Sequence, residues 1–212
     1  MKKDKLKLKT HTKLAHYANY AVDIEFEFPF GFGEIEGIHS RTDFDLKAHQ
    51  QHSGKKLEYI DKITNERYIP FVIETSGGVS RGLMAFLCNA YEEEEPAADS
   101  EEKEKRIVLR LHPQLAPIQV AVFPLVNKEG MPEKAHALYK HLQKHFKTQY
   151  DTSGAIGRRY RRQDEIGTPF CITIDGNSMS DDLITIRDRD SMQQESINID
   201  KAKEYLFNKF SE

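Results

Sequence analysis

Residues 92–104, EEEEPAADSEEKE, set eight acidic side chains against Lys103. Like charges at this density repel one another and resist burial, so no hydrophobic core can run through them. With Pro96 and small residues in the same stretch, the segment reads as an acidic linker over 92–106. It divides the 212 residues into parts 1–91 and 107–212, each near the ~100-residue size of a small domain. From residue 107 onward 15 basic side chains stand against 14 acidic ones; the net charge of the whole chain is −3, so the first 106 residues carry −4. No apolar run approaches the ~18 residues of a membrane span. The lysine-rich opening, MKKDKLKLKT, lacks the apolar stretch of a secretory signal and reads as a free leader. Cys88 and Cys171 lie in apolar contexts without CxxC spacing, and are expected to be buried thiols of a reducing, cytoplasmic compartment.

The first part opens as strand. Val22, Ile24, Phe26 and Phe28 alternate with Asp23, Glu25 and Glu27, giving one apolar and one acidic face. A glycine-rich turn follows, then a short helix after Asp43. Two strands, KLEYID and ERYIPFVIET, are joined by a KITN turn and lead into an apolar helix after a glycine pair. In the second part a buried strand, IQVAVFPLV, precedes a helix with Ala135, Leu138, Leu142 and Phe146 on one face and Pro132 in its first turn. A basic segment comes next, then strands CITID and LITIR joined by GNSMSDD. The chain closes on a helix with Ala202, Tyr205, Leu206 and Phe210 on its core face. Strands interleaved with helices place the chain in the α/β (α+β) class.

Three segments carry chemistry. In IETSGGVSRGLMAFL, Glu74 and Ser76 end an apolar strand, Gly77 and Gly78 permit a turn or a close approach, and Arg81 sits in the first turn of a helix. Free N–H groups and the positive dipole end there attract phosphate or carboxylate, although the same spacing suits a plain strand-to-helix connection. In GFGEIEGIHSRTDFDLKAH, Glu34 and Glu36 are expected on one face of an extended segment. His39, His49 and His52 match no metal-ligand spacing and read as surface histidines. In SGAIGRRYRRQDEIGTPF, Arg158, Arg159, Arg161 and Arg162 surround Tyr160, with Asp164 and Glu165 just after. Arginine forks suit phosphates and guanine edges, and a tyrosine among them can stack on an unpaired base, although a charge run by itself also suits a solvated face.

Taken in order, LAHYANYAVDIEFEFPFGFGEIEGIHSRTDFDLKAHQQHSGKKLEY, YIPFVIETSGGVSRGLMAFLCNAY, LRLHPQLAPIQVAVFPLV and GAIGRRYRRQDEIGTPFCITID resemble the C-terminal part of class II glycyl-tRNA synthetases from about Leu14 to Phe207. The resemblance implies part of an antiparallel catalytic sheet in residues 1–91, with the third class II motif at 74–87. It also implies a mixed-sheet α/β anticodon-binding domain in 107–212. The implied reaction joins glycine to ATP, with Mg²⁺, and passes glycine to its tRNA. By matching position, Glu34, Ile35, Gly78, Val79, Ser80 and Arg81 would hold ATP, with Arg81 against the adenine. Glu74, Thr75, Ser76, Gly77 and Gly78 would hold glycine. Arg158, Arg159, Tyr160, Arg161, Arg162, Asp164 and Glu165 would meet the tRNA. Two departures stand out: many members have Trp where Phe32 stands and Asp where Ser80 stands.

The first class II motif, which builds the homodimer interface, and the second, whose arginine grips the α-phosphate, are not in this sequence. No metal ligand is expected in it, and by itself it should not form glycyl-adenylate. A non-catalytic, synthetase-like tRNA-binding protein is the alternative.

Overall fold

A computed structural model describes residues 1–95 and 105–211. They fall into two compact units, Met1–Asn89 and Ala90–Glu212.

In the first unit β1 (Leu6–Thr10), β2 (Tyr20–Phe28), β3 (Gly31–Ser40) and later β6 (Ile73–Gly77) form one antiparallel sheet in the order β1-β2-β3-β6. Helix α1 (Phe44–Ser53) follows β3, as expected after Asp43. Strands β4 (Tyr59–Ile60) and β5 (Arg67–Tyr68) make a separate two-stranded ladder. The expected strand ERYIPFVIET is therefore split. Pro70 has no N–H to give to a ladder, and only the part beyond it joins the main sheet as β6. Helix α2 (Val79–Ala90) lays Ala85 on Phe26 and Phe28, with Leu6, Ile35 and Cys88 packed around them. Cys88 is thus half-buried, not enclosed as expected.

The opening is not a free leader. Leu6 reaches the apolar cluster and Lys7 and Lys9 each pair with Glu25 at 3.0 Å, which ties β1 to the sheet, while Leu8 on the apolar side stays exposed.

The second unit begins with β7 (Tyr91–Glu94), paired antiparallel to β8 (Arg106–Leu109). The arms of the expected acidic linker are therefore a hairpin, and only residues 96–104 of it lie outside the described residues. Cations from across the ladder explain this. Arg106 and Arg110 bond Glu94, Arg110 bonds Glu92 and Lys105 lies 3.5 Å from Glu93. Strands β9 (Val120–Pro124), β10 (Thr148–Tyr150), β11 (Phe170–Ile174), β12 (Leu183–Asp188) and β13 (Gln194–Asn198) build a mixed sheet ordered β10-β9-β11-β12-β13. The β9 neighbours are parallel and the later pairs antiparallel.

Strand alternation separates the two faces of this sheet. Val120, Val122, Ile172, Ile174, Ile184 and Ile186 pack under α3 (Met131–Leu142) and, near the C-terminus, α6 (Ala202–Ser211). On the opposite face Ala121, Phe123 and Cys171 meet Ile156 and Tyr160 of α4 (Ile156–Ile166). Pro132 stands in the first turn of α3 as expected, and Phe146 is buried just beyond the helix end. The GNSMSDD link contains α5 (Gly176–Ser180), capped reciprocally by Asp175 and Ser178. No helix among the described residues is long and apolar enough to cross a membrane.

Candidate functional site

Residues opposite one another in an antiparallel ladder share a face. The register sets Asp23, Gly37 and Ser76 in one row and Ala21, His39 and Glu74 in the next. Glu25 and Glu34 form a third row on the same side. This face is acidic and polar, and α2 occupies the other. A register shift at Ile24/Glu25 inserts Ile35 as an extra residue, so Glu34 opposes Glu25 while Glu36 opposes Ile24. Glu34 and Glu36 therefore do not share a face; the bulge turns Glu36 to the apolar side. Thr75 lies opposite Ile38 on that side too, which leaves its backbone but not its side chain to the polar face.

Strand β6 runs through Gly77 directly into α2. A Cβ on Gly77 would come within 3.1 Å of the Ile35 carbonyl oxygen, so the close passage of β6 along β3 favours glycine there. The α2 start is fixed by the Gly82 N–H donating to the Gly78 carbonyl at 2.8 Å. Val79, Ser80 and Arg81 in that first turn are exposed. Arg81 folds back and donates through Nη1 to the Glu34 carbonyl at 2.9 Å. Residues 34–35 and 77–81, far apart in sequence, meet at one end of the polar face.

At the other end Glu74 accepts from Arg41 Nη1 at 2.6 Å, and the same guanidinium bonds Asp45 through Nε at 2.6 Å and lies over the Tyr17 ring. Arg41 holds the Asp45 carboxyl below its ordinary range, and Asp45 followed by Glu74 keeps Arg41 charged. Sequence reasoning passed over Arg41 and Asp45. Their i,i+4 spacing, with a strand carboxylate downstream, is the signal that points to them.

In the second unit α4 sorts the basic segment by its 3.6-residue period. Arg158, Arg161, Arg162 and Glu165 follow the i, i+3, i+4, i+7 pattern; Arg158 and Glu165 are exposed and Arg161 and Arg162 half-exposed. Arg162 bonds Asp151 at 2.6 Å and the Ser153 carbonyl at 2.7 Å. Arg159, Gln163 and Asp164 face the interior. Arg159 donates to the Pro124 and Gly154 carbonyls. Asp164, 1% exposed, accepts from both Nη1 and Nη2 of Arg187 and from Nε of Arg106 at 2.9–3.0 Å. Tyr160 packs edge-on to Phe123, with its hydroxyl on Thr173. Burial removes Arg159 and Asp164 from any surface that meets RNA, and Tyr160 is turned inward with them.

Residues 119–209 match the family model described as an anticodon binding domain. The chain is 54% identical over 209 residues to a glycine–tRNA ligase of Chlorobaculum tepidum, which covers 99% of this chain and 43% of that protein. It is 53% identical over 194 residues to that of Treponema denticola, covering 90% of this chain and 43% of the relative. It is also 54% identical over 212 residues to that of Ruminiclostridium cellulolyticum, at 99% and 45%. The chain is related over its whole length to the C-terminal portion of glycine–tRNA ligases. It spans less than half the length of these curated relatives.

In the glycine–tRNA ligase context the two departures noted from sequence sit at the rim of the polar face. Phe32 is exposed and carries the Lys7 ammonium 3.9 Å above its ring, a cation–π contact open to any aromatic at that position. Ser80 is exposed in the first turn of α2. Of the three histidines read as surface groups, His49 and His52 are exposed on and near the end of α1. His39 is not: it is half-buried in the polar face, with its Nε2 unpartnered.

Proposed function

We propose that this chain supplies the glycine- and adenine-facing part of a glycine–tRNA ligase site, together with the anticodon-binding domain. In this reading the complete enzyme joins glycine to ATP as glycyl-adenylate, releasing pyrophosphate, and then transfers glycine to the terminal adenosine of its tRNA. The observation that carries it is the Arg81 bond to the Glu34 carbonyl. It draws the two separate segments assigned to ATP into one place, beside the strand assigned to glycine.

Glu34, Ile35, Gly78, Val79, Ser80 and Arg81 hold the nucleotide, with the Arg81 plane oriented by its backbone bond and presented to the adenine. Mg²⁺ arrives with the ATP phosphates as part of that substrate. Glu74 and Ser76, on one face of β6, receive the glycine ammonium, with the Thr75–Gly78 backbone as the wall. Arg41 occupies one oxygen of Glu74 and fixes the carboxylate, so the ammonium meets a preorganised acceptor. One methyl group is worth only ~1–3 kcal/mol in an ordinary pocket, so alanine is refused only if these walls are rigid. The Arg41–Glu74–Asp45 network and the Gly77–Ile35 contact support that rigidity. Exposed apolar side chains in the first unit, among them Val79, Leu83, Phe71 and Ile73, support a larger catalytic domain of the size the relatives have. The complete enzyme is proposed as a cytoplasmic homodimer.

Glycine-dependent pyrophosphate exchange by a complete enzyme tests the site. A hydrogen bond to a charged group is worth ~1.5–3 kcal/mol, or roughly ten- to a hundredfold. Glu74→Ala is expected to raise KM for glycine by that factor with KM for ATP near normal, and Arg81→Ala to do the reverse. If each change moved the two constants equally, the assignment would fail.

A further inference from the structure

The polar face holds a group of side chains that neither glycine nor ATP accounts for. His11, just past β1, Asp23 in β2 and His39 in β3 bring one ligand atom apiece within 4.8 Å of one another. His11 Nε2 is 2.7 Å from Asp23 Oδ2, and His39 Nε2 is 4.0 Å from Asp23 Oδ1. The imidazoles stand edge to face, with ring centroids 5.9 Å apart. Asp23 is almost enclosed, and His39 Nε2 is a buried nitrogen without a hydrogen-bond partner. A buried polar atom left unmatched costs free energy, and a cation held between it and the Asp23 carboxylate would relieve that cost.

We propose that His11, Asp23 and His39 bind one divalent transition-metal cation of the zinc class. Two imidazole nitrogens and a carboxylate oxygen suit zinc, cobalt or nickel and disfavour magnesium or calcium, which take oxygen ligands. Zinc–ligand bonds of about 2.0–2.2 Å in tetrahedral geometry set ligand atoms roughly 3.3–3.6 Å apart. The present group reaches this by modest side-chain rotation, with His39 closing on Asp23 and His11 moving slightly away. Gly37 leaves the room: a Cβ there would lie 3.3 Å from His39 Nε2 and 3.6 Å from Asp23 Oδ1. Three protein ligands leave a fourth position for water. The ligands come from three successive segments, so the ion cross-links the sheet. His39 is the ladder partner of Glu74, which puts the cross-link beside the strand that ends in the glycine pair.

Titration of the 212-residue chain with Co²⁺ and with Zn²⁺, against a chromophoric chelator, tests this. One tight equivalent is expected, giving a visible Co²⁺ absorption of tetrahedral or five-coordinate intensity and surviving a large excess of Mg²⁺. His39→Ala and His11→Asn should each weaken it by more than the ~10–100-fold typical of changes outside the ligand sphere, with circular dichroism reporting that each variant is folded. His141 and His145 meet edge to face across the end of α3 and offer a second place for such ions, so His141→Ala/His145→Ala serves as control and should keep the tight equivalent. The proposal is overturned if no tight equivalent is found, if it survives both ligand changes, or if it leaves with His141 and His145. The readout is metal binding alone, so it stands or falls apart from the ligase reading.

Discussion

Asp164 and Glu165 are adjacent carboxylates with opposite fates. Asp164 is enclosed and gripped by Arg187 and Arg106; Glu165 is exposed. Removing one partner of a buried ion pair leaves uncompensated charge and typically costs about 3–5 kcal/mol, whereas surface changes stay within about 0.5 kcal/mol. Thermal unfolding should therefore show a large drop in Tm for Asp164→Ala and almost none for Glu165→Ala. Similar midpoints for the two would refute the buried network. Glu25 makes a related case in the first unit. Hydrogen bonds from Lys9 and then Lys7 hold its carboxyl below the ordinary range, although burial works the other way. A carboxyl lowered in the folded state contributes stability that is complete above its unfolded value, about 4.3, and drains away as pH falls through the folded one. As pH falls below about 4.3, the unfolding midpoint should fall more steeply for the native protein than for Glu25→Gln. Parallel curves would mean that the lysines of β1 hold nothing.

Helix α4 shows how an element divides work among like residues. Four arginines in five positions look equivalent in sequence, yet one helical turn assigns Arg159 to the Pro124 and Gly154 carbonyls and leaves Arg158, Arg161 and Arg162 along the outward stripe with Glu165. If this stripe meets tRNA phosphates, three contacts at ~0.7 each predict a slope near −2 for log affinity against log salt. Filter binding with glycine tRNA at several salt concentrations should give that slope. It should flatten toward zero in Arg158→Ala/Arg161→Ala/Arg162→Ala, with circular dichroism checking the fold, because Arg162 also bonds Asp151 and the Ser153 carbonyl. Arg159→Ala is expected to act on stability, and a slope change from it as large as the triple variant's would reassign the interface. The bulge at Ile35 is the counterpart in β3. One inserted residue sends Glu34 to the polar face and Glu36 to the other.

At the scale of the whole molecule, we place the boundary between units at 89/90, not beyond an acidic linker. Arg106, one of the cations on Asp164, and β7, the partner of β8, precede residue 107. A fragment of residues 90–212 is accordingly expected to unfold cooperatively with a higher Tm than one of residues 107–212, which leaves Asp164 short of a partner; equal midpoints would restore the later boundary. The sequence by itself determined β9, α3, β11, β12 and α6 of the second unit, but not β7, β8, β10, β13 or the helical state of α4 and α5. Short apolar runs such as IQVAVF and CITI, and the spacing of Ala135, Leu138 and Leu142, are local patterns of buried strands and helices. The motifs likewise carried the relation to glycine–tRNA ligases. Tertiary structure alone decided which charges are used and where. That Lys7 and Lys9 belong to a strand depends on Glu25, 18 and 16 positions away, and that 91–94 is a strand depends on Arg106 and Arg110 across a ladder. The meeting of His11, Asp23 and His39 depends on the register of two strand pairs. Hydrophobic periodicity is written residue by residue along the chain, whereas the pairing of charges is a property of distances that exist only once the chain has folded.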